Sequence, residues 1–450
     1  MSQSLSPRTG LAYGVGSFGL NVVFQAAGFY LFNFLTDVMQ VGAAFVGTLF
    51  LLARFWDAAN DPLMGFLAQR TRTRWGSYRP YVLWGAVPLF LTFALLFFVP
   101  EVGMGGKMAY VAALYVLFGM AFTLVNVPFA TLTVVLSPDY QVRGKLTGYR
   151  MTFAMLGGLM GATCFLPLVE FFGGGQKAWF LAALVLGMAV LIASGLSFVG
   201  TNEPQSAAPP QESPWKSFGP AWQTLKHNRP FWLVCLMFAS AFAALGVFSN
   251  SLAYYFDYYH GDKSLTSFAL LLMMGTTALF VPVWTLLADR IGKKESLLIG
   301  IPFSLLAFGA LFFVPQQSPG WVYALLVVHG IGNAAAVYGS WALIPDTVEY
   351  GQWKSGSDQQ QAGLQYGIYG FCFKLALGLG GLLTGWALAW VNYEVQPDQP
   401  DSVLQMLRSL VSLFPMGFLL LAWLTTWRYP IDRKLHAQIR EELERSETVP

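Results

Sequence analysis

Charge is scarce in this chain. Only 11% of its residues are Asp, Glu, Lys or Arg, where an ordinary soluble domain has about 25%. The net charge of +3 is small, so no nucleic-acid partner is expected. Cysteine is rarer still: Cys164, Cys235 and Cys372 lie far apart, each in an apolar run. They read as small apolar filler, not as a disulfide or a metal site. The four histidines show no ligand spacing. His329 sits inside an apolar run and reads as a hydrogen-bonded packing residue. No nucleophile–base pair, metal set or cofactor motif is visible, which argues against an enzyme. A secretory signal is lacking too, because residues 1–10 are polar and the first apolar run is long enough to cross a bilayer.

What fills the chain is apolar. Hydrophobic residues make up 55% of it and the mean hydropathy is +0.52. Apolar runs fall at 11–35, 42–68, 82–99, 108–135, 149–171, 178–199, 230–256, 265–288, 296–314, 321–345, 363–390 and 403–428. Each is close to the ~20 residues a helix needs to cross a bilayer. The expectation is therefore an all-α polytopic membrane protein with twelve spans. The loops after even-numbered spans, with the termini, hold 20 of the 26 Lys and Arg. By the positive-inside rule both termini are cytoplasmic.

The longest polar stretch, 200–229, is rich in proline and separates six spans from six. It divides the chain into a first bundle (1–199), a cytoplasmic linker (200–229), a second bundle (230–428) and a tail (429–450). The linker suggests a short interfacial helix over 214–226, and the tail a cytoplasmic helix over 431–445. The halves echo each other. Gly65-Phe-Leu-Ala-Gln-Arg-Thr-Arg-Thr-Arg-Trp-Gly76 follows span two, and Leu287-Ala-Asp-Arg-Ile-Gly-Lys-Lys294 follows span eight. Leu136-Ser-Pro-Asp139 ends span four, and Leu343-Ile-Pro-Asp346 ends span ten. Two parallel repeats give such matches. The basic loops serve as topology signals, and also suit latches onto carboxylates at helix ends.

The most informative stretch is Arg54-Phe-Trp-Asp57-Ala-Ala-Asn60-Asp61-Pro62, inside span two. On a helix, intervals of three and four place Arg54, Asp57 and Asp61 on one face. One charge near the bilayer centre costs at least ~2.5–3.5 kcal/mol, so three together need partners, water or an ion. Arg54 supplies structural pairing for one carboxylate. The other negative charge suits a small cation, Na+, Li+ or H+. Lys374 is a second lone cation, deep in span eleven.

These motifs resemble the glycoside–pentoside–hexuronide:cation symporters, a branch of the major facilitator superfamily. The resemblance rests on Trp56-Asp57-Ala-Ala-Asn60-Asp61-Pro62, on Arg70-Thr-Arg-Thr-Arg-Trp75-Gly76, and on Pro345-Asp346-Thr-Val-Glu349-Tyr350-Gly351-Gln-Trp353-Lys354. It covers essentially the whole chain. Thr224-Leu-Lys-His-Asn-Arg-Pro230 and Trp341-Ala-Leu-Ile-Pro-Asp346 look closer to that family's glucuronide and sulfoquinovose carriers than to its melibiose carrier.

The resemblance implies the major facilitator fold, two six-helix bundles that rock about a central substrate. It also implies cation ligands at Asp57, Asn60, Asp61 and Thr123. These oxygens suit Na+, and a buried carboxylate pair equally suits a shared proton; both ions stay open. Arg150 resembles the family's sugar-contacting arginine at the start of span five, and Lys374 is implied to join the ion and sugar sites. Asn126 replaces an aspartate of galactoside carriers, Leu20 and Asn21 replace a charged pair, and Ala130 replaces an aromatic residue. Ser357-Asp358-Gln-Gln-Gln361-Ala-Gly363 stands where close relatives have an Arg-x-Glu-Gly segment. Trp341, Tyr366 and Tyr369 lie near Lys374 in span order. Of these, Trp341 is best suited to stack on a sugar ring.

The function implied is cation-coupled symport of a sugar or glycoside in a bacterial cytoplasmic (inner) membrane, by a monomer needing no cofactor beyond the coupling ion. Three buried cations against two carboxylates favour an acidic sugar. Alternatives are a neutral glycoside or pentoside symporter and a lysophospholipid or amphiphile carrier. A membrane sugar sensor is the non-transport alternative, for which the short tail leaves no signalling domain.

Overall fold

The structure is a computed structural model that describes residues 6–137, 140–203, 222, 225–355 and 360–448. Among these residues, long helices follow one another without an intervening strand. In the first half they are α1 (Pro7–Asn33), α2 (Ala43–Arg70), α3 (Arg79–Leu96), α4 (Met104–Val135), α5 (Tyr140–Phe171) and α6 (Gln176–Gly200). The second half has α7 (Arg229–Tyr254), α8 (Leu265–Ile291), α9 (Lys293–Leu311), α10 (Pro319–Ser355) and α11 (Gln360–Trp390). It ends with α12 (Asp401–Val411), α13 (Leu413–Arg428) and α14 (Arg433–Thr448). Among the described residues, eleven helical stretches are long and apolar enough to cross a membrane, α12 and α13 counting as one. The twelfth, α2, has 28 residues but is made more polar by Arg54, Asp57, Asn60 and Asp61. In lipid every backbone N–H and C=O needs an internal partner, which the helix supplies.

Several expected boundaries move. α5 begins at Tyr140, so Arg150 is its eleventh residue, not its first. α10 runs ten residues past Pro345, because Asp346 and Glu349 find cationic or imidazole partners there. α3 and α9 start at Arg79 and Lys293, which had been expected in loops. The last span is not one helix: it breaks at Ser412, between α12 and α13. The tail helix lies at Arg433–Thr448. Most of the interfacial helix expected over 214–226 lies outside the described residues.

The repeat expected from the loops extends through the helices. Pro88 is the tenth residue of α3 and Pro302 the tenth of α9. Pro62 and Pro282 each precede an arginine by eight residues, Arg70 and Arg290. Both α1 and α7 end in a single π-helical turn bearing an aspartate, Asp37 in Phe34–Val38 and Asp257 in Tyr255–Tyr259.

The chain divides into two compact units. One comprises Met1–Pro210, Asp262–Leu271 and Leu388–Pro397; the other comprises Gln211–Gly261, Leu272–Ala387 and Asp398–Pro450. In the first unit α1 packs on α5 and α6, α3 on α4 and α6, and α2 on α4. In the second, α9 packs on α10 and α13, and α7 on α10 and α13. Lipid supplies no hydrophobic drive between helices, so close backbone approach matters. Gly157 and Gly161 of α5 meet the backbone of α1 at Phe18 and Val22, where a Cβ would overlap a carbonyl. Gly380 of α11 meets Gly246 of α7, and a Cβ on it would lie 2.5 Å from the carbonyl carbon.

Candidate cation and substrate sites

α2 begins apolar and turns polar in its middle. Phe50, Arg54, Asp57 and Asp61 follow at intervals of four, three and four, which lines them along one helix face. The facing helix α4 presents Tyr115, Gly119 and Thr123, four apart. The two stripes meet step by step. The Phe50 and Tyr115 rings stack with centroids 4.6 Å apart. Arg54 donates through one amino group to Asp57 Oδ2 at 3.0 Å and through the other to the Tyr115 hydroxyl at 3.1 Å. Asp57 Oδ1 lies against Gly119, where a Cβ would stand 2.8 Å away. Thr123 Oγ1 donates to Asp61 Oδ1 at 2.9 Å.

Asp57 and Thr123 are only 5% and 2% exposed, so water cannot solvate them freely. Asp57 therefore has a guanidinium partner, while Asp61 has a hydroxyl donor. Asn60 is half-buried on the same helix and makes no hydrogen bond to this set. The donors are hard oxygens, suited to Na+ or Li+, and two carboxylates one turn apart also suit a proton. Tyr115 and Gly119 were missed from the sequence. Their four-residue spacing before Thr123 was the available signal, and it is equally the spacing of any packed helix face.

Elsewhere in the first unit, Asn21 spends its amide on the Ser17 carbonyl at 2.9 Å. Asn126 is exposed on α4, one turn beyond Thr123. Arg150 lies near the Tyr13 hydroxyl, which meets Thr133 Oγ1 at 2.5 Å. In the second unit, Trp341 is 57% exposed and Tyr369 4% exposed. Their rings meet edge to face at 6.2 Å. Lys374 lies half-buried five residues beyond Tyr369 on α11. The structure thus joins Arg54 to Asp57, Asp61 to Thr123, and Trp341 to Tyr369.

The remaining singled-out residues also find places. His329 is buried, and its Nδ1 lies 3.0 Å from Ser304 Oγ. All three cysteines are free thiols. In the second unit, carboxylates latch the helix end at the basic loop. Asp346 bonds Lys293 at 2.6 Å and lies 3.4 Å from His436 of the tail helix, which meets Glu349 at 2.8 Å. Trp353 donates to Glu442 at 2.6 Å. Tyr429 is buried, and burial, aided by the Asp346 charge, pushes its hydroxyl well above the usual range. In the first unit Glu203 instead accepts three backbone N–H bonds, from Ser77, Tyr78 and Arg79 at 2.7, 3.0 and 3.2 Å. Burial and then the Glu203 charge raise the Tyr78 hydroxyl, while Arg72 lowers it. Asp139 lies outside the described residues.

Residues 12–433 match the family described as MFS/sugar transport protein. The chain belongs to that family. A relative named inner membrane symporter YicJ, from Escherichia coli (strain K12), is 31% identical over 438 residues, 95% of this chain and 92% of the relative. The glucuronide carrier protein homolog of the same organism is 30% identical over 457 residues, 100% of this chain and 98% of the relative. Both are full-length likenesses, and they agree with the family read from the motifs. Among solved structures, a mutant form of the nucleoside transporter NupG superimposes with a TM-score of 0.69 at 13% identity, covering 94% of this chain and 99% of that one. That likeness shows the fold, the twelve-helix major facilitator fold. For this family member the buried charges of α2 are features of a membrane transport protein.

Proposed function

We propose that this chain is a cation-coupled symporter of a sugar or glycoside in a bacterial inner membrane, with both termini cytoplasmic. One observation carries the reading. Two carboxylates, Asp57 and Asp61, stand a turn apart in a membrane helix, with a single guanidinium on one and a threonine hydroxyl on the other. Folding such a pair into lipid is costly, and a bound Na+ or H+ offsets that cost. Asp57, Asn60, Asp61 and Thr123 are the proposed ligands. The relatives' names, a symporter and a glucuronide carrier homolog, support the sugar half of the reading.

An acidic sugar is the favoured substrate. Arg54, Arg150 and Lys374 outnumber Asp57 and Asp61, the carboxylates of the proposed ion site, so among these five groups a positive surplus remains with one cation bound. A uronide carboxylate or a sulfonate would offset part of it. Asn21, Asn126, Arg150, Trp341, Tyr369 and Lys374 are the proposed substrate contacts, taken up in turn from the two membrane faces by alternating access.

The test is uptake into proteoliposomes against a sugar gradient. Asp57→Asn and Asp61→Asn should each abolish accumulation while leaving the fold intact. Accumulation that persisted in either would refute the ion site. A thermal-shift screen of the purified protein against neutral and acidic sugars, each with and without Na+, should give its largest shift with an acidic sugar. A larger shift with a neutral glycoside would refute that preference.

A further inference from the structure

We infer that the loop after α2, with the last two turns of that helix, is a binding site for the headgroup of an anionic phospholipid. The inference does not depend on which sugar or ion is carried. It begins with an imbalance between the two repeats. After α8, two of the three cations at the equivalent loop are consumed within the protein, and only Arg290 is left exposed among the described residues. Lys293 pairs with Asp346, and Lys294 donates to the Tyr429 carbonyl at 2.6 Å. After α2, Arg70, Arg72 and Arg74 are all exposed and none meets a carboxylate among the described residues. Arg72 donates to the Ser77 hydroxyl at 3.4 Å, so three guanidiniums within five residues keep a charge that no carboxylate among the described residues offsets.

They are also held in place. The Arg70 guanidinium lies over the Phe66 ring at 3.9 Å, and that of Arg74 over Trp75 at 4.6 Å. Stacking uses the flat face of a guanidinium and leaves its N–H edges free for a phosphate. The loop backbone is pinned as well. Thr71 Oγ1 meets the Tyr81 hydroxyl at 2.5 Å, Thr73 Oγ1 donates to the Gly76 carbonyl at 2.7 Å, and Glu203 holds residues 77–79. Little ordering entropy is left to lose on binding.

The neighbouring surface favours a lipid over a free phosphate. Leu63, Phe66, Leu67 and Arg70 follow at i, i+3, i+4 and i+7, so they form one stripe of α2. The first three are 56%, 42% and 48% exposed in the whole chain. An acyl chain lying on that apolar stripe ends at the Arg70 guanidinium, with Arg74 beyond it. Basic residues next to a membrane helix are the usual reader of anionic headgroups.

The test uses the full chain in nanodiscs of phosphatidylcholine with graded phosphatidylglycerol, reading the unfolding midpoint and, by native mass spectrometry, the lipids retained. Phosphatidylglycerol should raise the midpoint, less so at high salt. Each arginine near an anionic surface is worth roughly a factor of five, so Arg70→Gln with Arg74→Gln should weaken phosphatidylglycerol binding about 25-fold. Arg74→Gln alone, on the exposed loop, should weaken it about fivefold, which keeps the test open if the double variant does not fold. Lys434→Gln with Arg440→Gln removes equal charge from the tail helix and should change nothing. The inference is overturned if the loop variants keep the lipid preference, or if the tail variant loses it equally. It is overturned in favour of a free phosphate if glycerol phosphate gives the same shift in pure phosphatidylcholine.

Discussion

Arg54 faces two acceptors and can satisfy both only by opening its fork between them. One amino group serves Asp57 and the other Tyr115, while Nε is buried without a partner. Tyr115 thus draws the guanidinium part of the way off the carboxylate. A cation bound at Asp57, as proposed, would compete with an arginine already shared. Tyr115→Phe should return Arg54 fully to Asp57 and weaken cation binding. A hydrogen bond to a charged group is worth ~1.5–3 kcal/mol, so a fall of at least about tenfold is expected. Cation titration of the purified protein measures it, and unchanged affinity would mean that Tyr115 only packs.

His260 makes a second residue-scale argument. It lies just beyond the first π-turn of the second unit, with Nδ1 2.7 Å from the Gln316 carbonyl and Nε2 buried without a partner. Burial lowers its pKa from the ordinary 6.5, and the Gln316 bond only partly restores it. The folded state then binds fewer protons than the unfolded state. Stability from this residue is whole above about pH 6.5 and falls as the pH drops below it. His260→Gln should flatten that part of the stability–pH curve, as followed by thermal unfolding between about pH 7 and 5. An unchanged slope would assign the pH dependence to other groups.

At the scale of helices, glycine contact decides the packing. α5 touches α1 through Gly157 and Gly161, and α11 touches α7 through Gly380, which are equivalent pairs in the two repeats. A side chain at Gly161 would press on a carbonyl that cannot yield. Gly161→Leu should therefore destabilise the first unit by at least ~1–3 kcal/mol, read as a fall of several degrees in the unfolding midpoint. Gly173, in open space at the end of α5, has a positive φ of 95°, so a substitution there strains the backbone without crowding a neighbour. The tail helix shows the same dependence on contact. Its Ile439 is fully buried and its His436 sits between Asp346 and Glu349.

For the whole molecule, coupling between two ligands must be mutual. If the cation raises sugar affinity by some factor, the sugar raises cation affinity by the same factor. Paired titrations should return equal ratios for the wild type and a ratio near one for Asp61→Asn. Unequal ratios would mean that the two ligands were not measured on one equilibrium.

The sequence by itself determined the helical class, the number of spans and the repeat, because lipid penalises every unsatisfied backbone group and every stray charge. Long apolar runs, matched prolines and displaced charges are therefore visible one residue at a time. It also marked Asp57 and Asp61, since a helix places residues three and four apart together whatever surrounds them. Only the tertiary structure decided which neighbours those carboxylates meet. Tyr115 and Gly119 lie about sixty residues away on α4, and nothing local distinguishes them from other packed positions. The same holds for α10 beyond Pro345. Its continuation depends on Lys293 and His436, partners from remote segments whose approach is set by packing and not by spacing along the chain.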